Sequence, residues 1–85
     1  MNERRREPRQ PASGWVELLV DGPEPSLLVG ELVDRSEHGF RVEHKSTLLS
    51  TGMEVSFRSA DRDGRARVMW TRIDGTRHLS GFLIC

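Results

Sequence analysis

The sequence has almost no cysteine for a covalent framework and no segment suited to a membrane. Its 85 residues include a single cysteine, Cys85, so an intrachain disulfide is excluded and a reducing compartment is expected. The first ten residues are polar and rich in arginine, and no apolar run is long enough to span a bilayer. We therefore predict a cytoplasmic protein with no secretory signal and no membrane insertion.

The chain has no excess of charge of either sign, and it has few aromatic residues. The 13 basic and 13 acidic side chains cancel, so no overall field attracts the chain to nucleic acid. Aromatic residues make up only 6% and tyrosine is absent, whereas a small barrel that binds single strands needs a basic groove with stacking aromatics. These counts argue against a nucleic-acid polymer as the partner, and any basic site must be local.

The sequence does contain a series of short apolar–polar alternations separated by turn residues, which is typical of a small all-β domain. The predicted strands cover residues 15–20, 27–33, 40–43, 53–58, 65–73 and 78–84. Because the connections are short, neighbouring strands are expected to be antiparallel, and closure into a six-stranded antiparallel β-barrel would leave no exposed edge. The last strand runs almost to Cys85, so we expect little or no C-terminal helix.

Two Asp-Gly pairs help to place the hairpins. The stretch Asp61-Arg62-Asp63-Gly64 and the pair Asp74-Gly75 each contain an Asp-Gly dipeptide, which favours a tight hairpin turn between strands. In the strand between them, the alternation predicts that Val68 and Trp70 lie on the same inner face of the barrel.

The opening segment carries a cluster of arginines directly before the first predicted strand. Within residues 3–9, Arg5 and Arg9 have an R-x-x-x-R spacing, and Arg4 is an accessory candidate. Guanidinium groups are planar forks of donors that suit phosphate oxygens and the O6/N7 edge of guanine. Taken alone, the segment is better explained as a solvated basic tail, which is common at a terminus.

A second polar segment links the second and third predicted strands. Asp34, Ser36 and Gly39 form a D-x-S-x-x-G pattern. A carboxylate can accept hydrogen bonds from the N–H groups of guanine, and a serine hydroxyl can donate or accept. The glycine allows either a positive φ or a close approach of the backbone to a ligand. Taken alone, the segment is better explained as an ordinary β-turn.

With both motifs in this order on this strand pattern, the chain resembles the PilZ domain family. In that family R-x-x-x-R and [DN]-x-S-x-x-G are the motifs that bind cyclic di-GMP. Arg5 and Arg9 match the first motif, and Asp34, Ser36 and Gly39 match the second. Residues 30–34, 39–42, 66–70 and 81–83 also look similar to the family, so the resemblance covers almost the whole chain.

The resemblance implies a receptor of bacterial second-messenger signalling that is not an enzyme and needs no cofactor besides its ligand. Arg5 and Arg9, with Arg4 as an accessory, would bind the phosphates and guanine edges of cyclic di-GMP. Asp34 and Ser36 would hold a guanine, and Gly39 would keep the turn open.

The implied organisation is a flexible arm over residues 1–12 followed by a PilZ-like barrel over residues 13–85. The arm would become ordered on the ligand, and a downstream protein partner would recognise the ordered surface. Many family members continue into a C-terminal helix, and a homo-oligomer in which a second copy covers the barrel mouth is a further hypothesis.

One alternative is a PilZ-like interaction domain that does not bind nucleotide. The intact arginines and the intact D-x-S-x-x-G argue against it. His38, His44 and His78 do not fall at a metal-ligand spacing, and no second cysteine is available, so no metal site is predicted.

Overall fold

Seven strands and no helix make up residues 8–85, the part of the chain that the computed structural model describes. No helix in that range is therefore long and apolar enough to cross a membrane. The strands are β1 (Gln10–Pro11), β2 (Trp15–Val20), β3 (Ser26–Arg35), β4 (Gly39–His44), β5 (Glu54–Ser59), β6 (Asp63–Asp74) and β7 (Arg77–Ile84).

Six of these strands close into an antiparallel barrel. The order around the barrel is β3-β2-β5-β6-β7-β4, and β4 pairs back with β3. The two-residue strand β1 adds to β3 beside its last residues. The predicted all-β, six-stranded antiparallel barrel is confirmed. Closure gives all six strands a hydrogen-bonded neighbour on both sides, which removes the exposed sheet edges.

The barrel interior is filled by the side chains that alternate inward along each strand. The best-buried large side chains are Val16, Leu18, Phe40, Val42, Val55 and Val68. At the centre, the ring of Phe40 lies 4.9 Å from that of Phe57 and 5.0 Å from that of Phe82. Complete burial of one such side chain contributes roughly 1.5–3 kcal/mol, so this single layer of side chains is the main source of stability.

Both predicted hairpins are present. At Asp74-Gly75 the strands β6 and β7 join through a two-residue loop, and Gly75 has a φ of 66°. In the stretch 61–64 the turn uses only the first two residues, because Asp63 and Gly64 already begin β6 and pair with β5. The turn precedes them, and Ser59 closes it by donating its backbone N–H to the carbonyl of Arg62 at 2.7 Å.

Strand β6 contains a bulge at Met69 that changes the orientation of Trp70. Val68 pairs with Phe82, but Trp70 pairs with Gly81, the neighbour of Phe82. Because adjacent residues of β7 face opposite sides of the sheet, Trp70 is on the outer face. The prediction that it shares a face with Val68 is therefore wrong. The physical reason is the extra residue, which shifts the two-residue period by one.

Strand β3 contains a similar bulge at Val33. Leu32 pairs with the inward Val42, and Asp34 pairs with Arg41, the next residue along β4. A regular strand would give Leu32 and Asp34 the same face. The bulge instead turns Asp34 to the outer face, beside Arg41.

Candidate ligand-binding site

The site is built around Asp34, which lies near the end of β3. On one side of β3, Pro11 of β1 pairs with Asp34. On the other side, Arg41 of β4 pairs with it. These neighbours leave the Asp34 side chain only 11% exposed, although it is on the outside of the barrel. A carboxylate so poorly solvated needs charged or hydrogen-bonding partners.

Two arginines supply those partners. Arg41 donates from Nε to Asp34 Oδ1 at 3.0 Å and to Oδ2 at 2.9 Å, and its Nη2 also donates to Oδ2. Arg9 donates from Nη1 to Oδ1 at 3.1 Å. The hydrogen bond to Asp34 is the main reason why the pKa of Arg41 is raised above its ordinary value. The two guanidinium groups and one carboxylate give this cluster of three side chains a net charge of +1.

The two arginines hold the carboxylate unequally. An ionised carboxylate has about four acceptor positions on its two oxygens. Arg41 supplies two N–H groups, because its single Nε–H is shared between the two oxygens, and Arg9 supplies one. If Arg9 leaves, about two acceptor positions are open while both N–H groups of Arg41 stay bound.

The turn after Asp34 is closed by its own backbone. Ser36 donates its N–H to the carbonyl of Gly39 at 2.9 Å. Gly39 does not have a positive φ, so the first of the two explanations offered for this glycine does not apply. A Cβ at this position would lie 2.7 Å from the carbonyl oxygen of Phe82 on β7. The glycine is therefore needed because the neighbouring strand approaches closely.

A groove of about 440 Å³ runs beside this turn. Its lining residues are Pro8, Gln10, Arg35, Ser36, Glu37, Asp61 and Arg62. Arg62 donates from Nη1 to the carbonyls of Ser36 at 3.3 Å and Glu37 at 3.4 Å. No hydrogen bond joins the Ser36 hydroxyl to another of residues 8–85, and Ser36 lines the groove.

A comparison with protein families matches the PilZ domain over residues 3–83, nearly the whole chain. The chain belongs to the PilZ domain family. PilZ domains are in general receptors for cyclic di-GMP, and they bind ligands rather than catalyse reactions. A comparison with curated proteins found no match.

The described part of this PilZ domain brings one residue of each motif into contact. Arg9 of R-x-x-x-R and Asp34 of D-x-S-x-x-G form an ion pair, and Ser36 and Gly39 form the adjacent turn. Arg4 and Arg5 lie outside the described residues. Gln10 and Pro11, at the end of the segment assigned to the arm, pair with β3.

The two sequence motifs did not indicate that Arg41 and Arg62 belong to the site, for different reasons. Arg41 lies two residues beyond the motif glycine, and only the bulge at Val33 aligns it with Asp34. Arg62 reaches the motif from the β5–β6 turn, and no signal in the local sequence links the two. Among residues 8–85 no group of three or more potential metal ligands is found.

Proposed function

We propose that this PilZ domain is a cyclic di-GMP receptor whose ligand binds at the end of β3, across Asp34 and the adjoining groove. The observation that carries the proposal is the 3.1 Å contact between Arg9 and Asp34. It joins the two motifs, 25 residues apart in sequence, into one arrangement of positive and negative groups.

The chemistry of these residues fits the two parts of the ligand. The guanine base has N–H donors on its Watson–Crick edge, whose hydrogen bonds a carboxylate such as Asp34 accepts, and the hydroxyl of Ser36 can add a further contact. The phosphates and the O6/N7 edge of guanine are acceptors, which suit the guanidinium groups of Arg9 and Arg5. Arg4 is proposed as an accessory contact.

Binding would then proceed by exchange. Because Arg9 uses one of the acceptor positions that two guanine donors need, guanine replaces Arg9 at Asp34, and Arg9 moves to a phosphate or to a guanine edge. The charge-assisted hydrogen bonds formed in this way must exceed the conformational entropy lost when the part of the arm before β1 becomes ordered. The ordered arm would present a new surface to a downstream protein in the bacterial cytoplasm.

One observation bears on the alternative of an interaction domain that binds no nucleotide. On the outer face of the β2–β3 pair, Leu27 is 60% and Val29 is 62% exposed, and Trp15 and Leu19 are exposed beside them. Exposed apolar side chains that adjoin one another are typical of contact surfaces. This surface is compatible with either function, since a receptor also needs a partner.

Calorimetric titration with cyclic di-GMP distinguishes the two functions. The Arg5→Ala, Arg9→Ala double variant is expected to bind at least about a hundredfold more weakly, because each charge-assisted hydrogen bond contributes about 1.5–3 kcal/mol. The matched control is an Arg58→Ala, Arg67→Ala double variant, which removes the same charge from β5 and β6. It should bind within about twofold of the wild type, and cyclic di-AMP should not compete. Absence of binding by the wild type would leave the interaction domain as the function.

A further inference from the structure

We propose that Arg41 is a positioning residue for guanine recognition, which fixes the plane of the Asp34 carboxylate so that two guanine donors are accepted together. This inference rests on the proposed function and deepens it. Arg41 belongs to neither binding motif, and its proposed role acts through Asp34 rather than through a contact with the ligand.

The first argument is geometric. Arg41 reaches both oxygens of Asp34, at 3.0 and 2.9 Å from Nε, whereas Arg9 reaches one oxygen from one nitrogen. Contacts to both oxygens oppose rotation of the carboxylate about its last torsion, which is otherwise soft and roughly two-fold. A single contact leaves that rotation open.

The second argument concerns the backbone that carries each arginine. Arg41 is an interior residue of β4, which is hydrogen-bonded to β3 on one side and to β7 on the other. Arg9 precedes the two-residue strand β1, which has only β3 as a neighbour. A binding group is held accurately when its support is on a rigid element, so Arg41 remains in place when Arg9 is exchanged.

The third argument is energetic. Arg41 is 37% exposed, whereas Asp34 is only 11% exposed. An exposed ion pair contributes little to stability, but a poorly solvated carboxylate left without a partner is costly. The Arg41–Asp34 pair is therefore better explained as a way to keep an acceptor in a defined orientation than as a surface pair that stabilises the barrel.

This role predicts a specific change in selectivity. Guanine presents N1–H and the exocyclic N2 amino group side by side, and hypoxanthine presents N1–H alone. A carboxylate with a fixed plane accepts both donors, so cyclic di-IMP should bind more weakly than cyclic di-GMP by about tenfold, one charge-assisted hydrogen bond. Without Arg41 the carboxylate is no longer aligned, and this ratio should fall to about twofold.

The test is calorimetry of Arg41→Met and Arg41→Lys with both cyclic dinucleotides. The first substitution removes the charge, and the second keeps the charge but removes the fork of nitrogens. The matched control is Arg58→Met, because Arg58 also donates from two nitrogens to a carboxylate on a neighbouring strand, at 3.1 and 2.7 Å from Glu17. Thermal unfolding of every variant shows whether it is folded.

The proposal expects both Arg41 variants to bind cyclic di-GMP about tenfold more weakly and to lose the preference over cyclic di-IMP, whereas the Arg58 variant keeps both. An unchanged ratio overturns it, even if affinity for both ligands falls equally, because loss of positive charge alone gives that result. A wild type without preference for guanine also overturns it. If Arg41→Met does not fold, the ratio of the two affinities measured for Arg41→Lys tests the proposal alone. A wild type that binds neither ligand refutes the proposed function, and this inference with it.

Discussion

At position 39 the packing of the strands leaves no room for a side chain, independently of any ligand. Gly39 pairs with Leu83 of β7, and a Cβ would lie 2.7 Å from the carbonyl oxygen of Phe82. Backbone atoms cannot move aside as the end of a side chain can, so the strand pair itself would have to separate. A motif residue that family resemblance assigns to ligand binding is thus also required by the packing of two strands.

Replacing Gly39 by alanine is expected to destabilise the ligand-free protein by about 1–3 kcal/mol, the usual cost of overpacking. Urea unfolding at neutral pH measures this free energy. Ser36→Ala is the matched control in the same turn, because its hydroxyl has no partner within residues 8–85; its effect should stay below about 0.5 kcal/mol. If the two variants had the same free energy of unfolding, the close approach of Phe82 to position 39 would not limit stability.

At the scale of the strands, the apolar–polar alternation of the sequence predicts where strands lie better than it predicts which face each side chain is on. The first predicted strand, residues 15–20, coincides with β2 (Trp15–Val20), because its inward residues recur at every second position. The predicted strand 27–33 is shorter than β3 (Ser26–Arg35). The extension matters, since it makes Asp34 part of a strand rather than part of a turn.

The two bulges are the features that the sequence could not reveal. An extra residue in a strand leaves no local signature when both neighbours remain extended, and its position depends on the partner strand. After the bulge at Met69, Trp70 pairs with Gly81, which leaves space for the indole ring. After the bulge at Val33, Asp34 pairs with Arg41, which forms an ion pair with it. The motifs therefore predicted Asp34 as a site residue, but not the arginine that holds it.

The bulge at Met69 can be tested through Gly81. A Cβ on Gly81 would lie 2.4 Å from Nε1 of Trp70, so Gly81→Ala should destabilise the barrel by about 1–3 kcal/mol. In a Trp70→Leu background the same substitution should cost clearly less, because the ring is gone. Urea unfolding of the four proteins gives the coupling. If Trp70 faced the interior, as simple alternation predicts, the cost of the alanine would not depend on residue 70.

At the scale of the whole molecule, the two ends of the barrel carry different polar groups. Strand β4 begins at Gly39, beside the candidate ligand-binding site, and ends at His44, which is only 4% exposed. The backbone N–H of Ser46 donates to Nδ1 of His44 at 3.1 Å, so Nε2 carries the ring proton. That Nε2–H donates to the hydroxyl of Ser80 at 2.7 Å, and Ser80 donates to Thr71 at 2.8 Å. This chain of hydrogen bonds requires a neutral imidazole.

The surroundings of His44 oppose its protonation. Burial lowers the pKa of His44 below its ordinary value of 6.5, and the charge of His78 lowers it further; the two rings lie 5.8 Å apart. In the unfolded chain His44 takes up a proton as the pH falls through about 6.5. In the folded barrel it does so only at lower pH. The unfolded state therefore binds more protons in this range, and folding stability must decrease as the pH falls.

We accordingly expect the free energy of unfolding to decrease below about pH 6.5, by at most about 1.4 kcal/mol per pH unit from this one group. Above that pH the contribution of His44 is constant, and it becomes constant again below the pKa of the folded state.

His44→Gln keeps an N–H donor and an acceptor in similar places but does not titrate, so its stability should vary less between about pH 7.5 and 5.5. Urea unfolding across that range measures both slopes, and only the slopes matter, since the substitution also changes packing. His78→Gln removes the neighbouring charge and should leave a weaker slope than that of the wild type. Parallel slopes for wild type and His44→Gln would mean that the imidazole is protonated equally in both states, against the buried, hydrogen-bonded position of this ring.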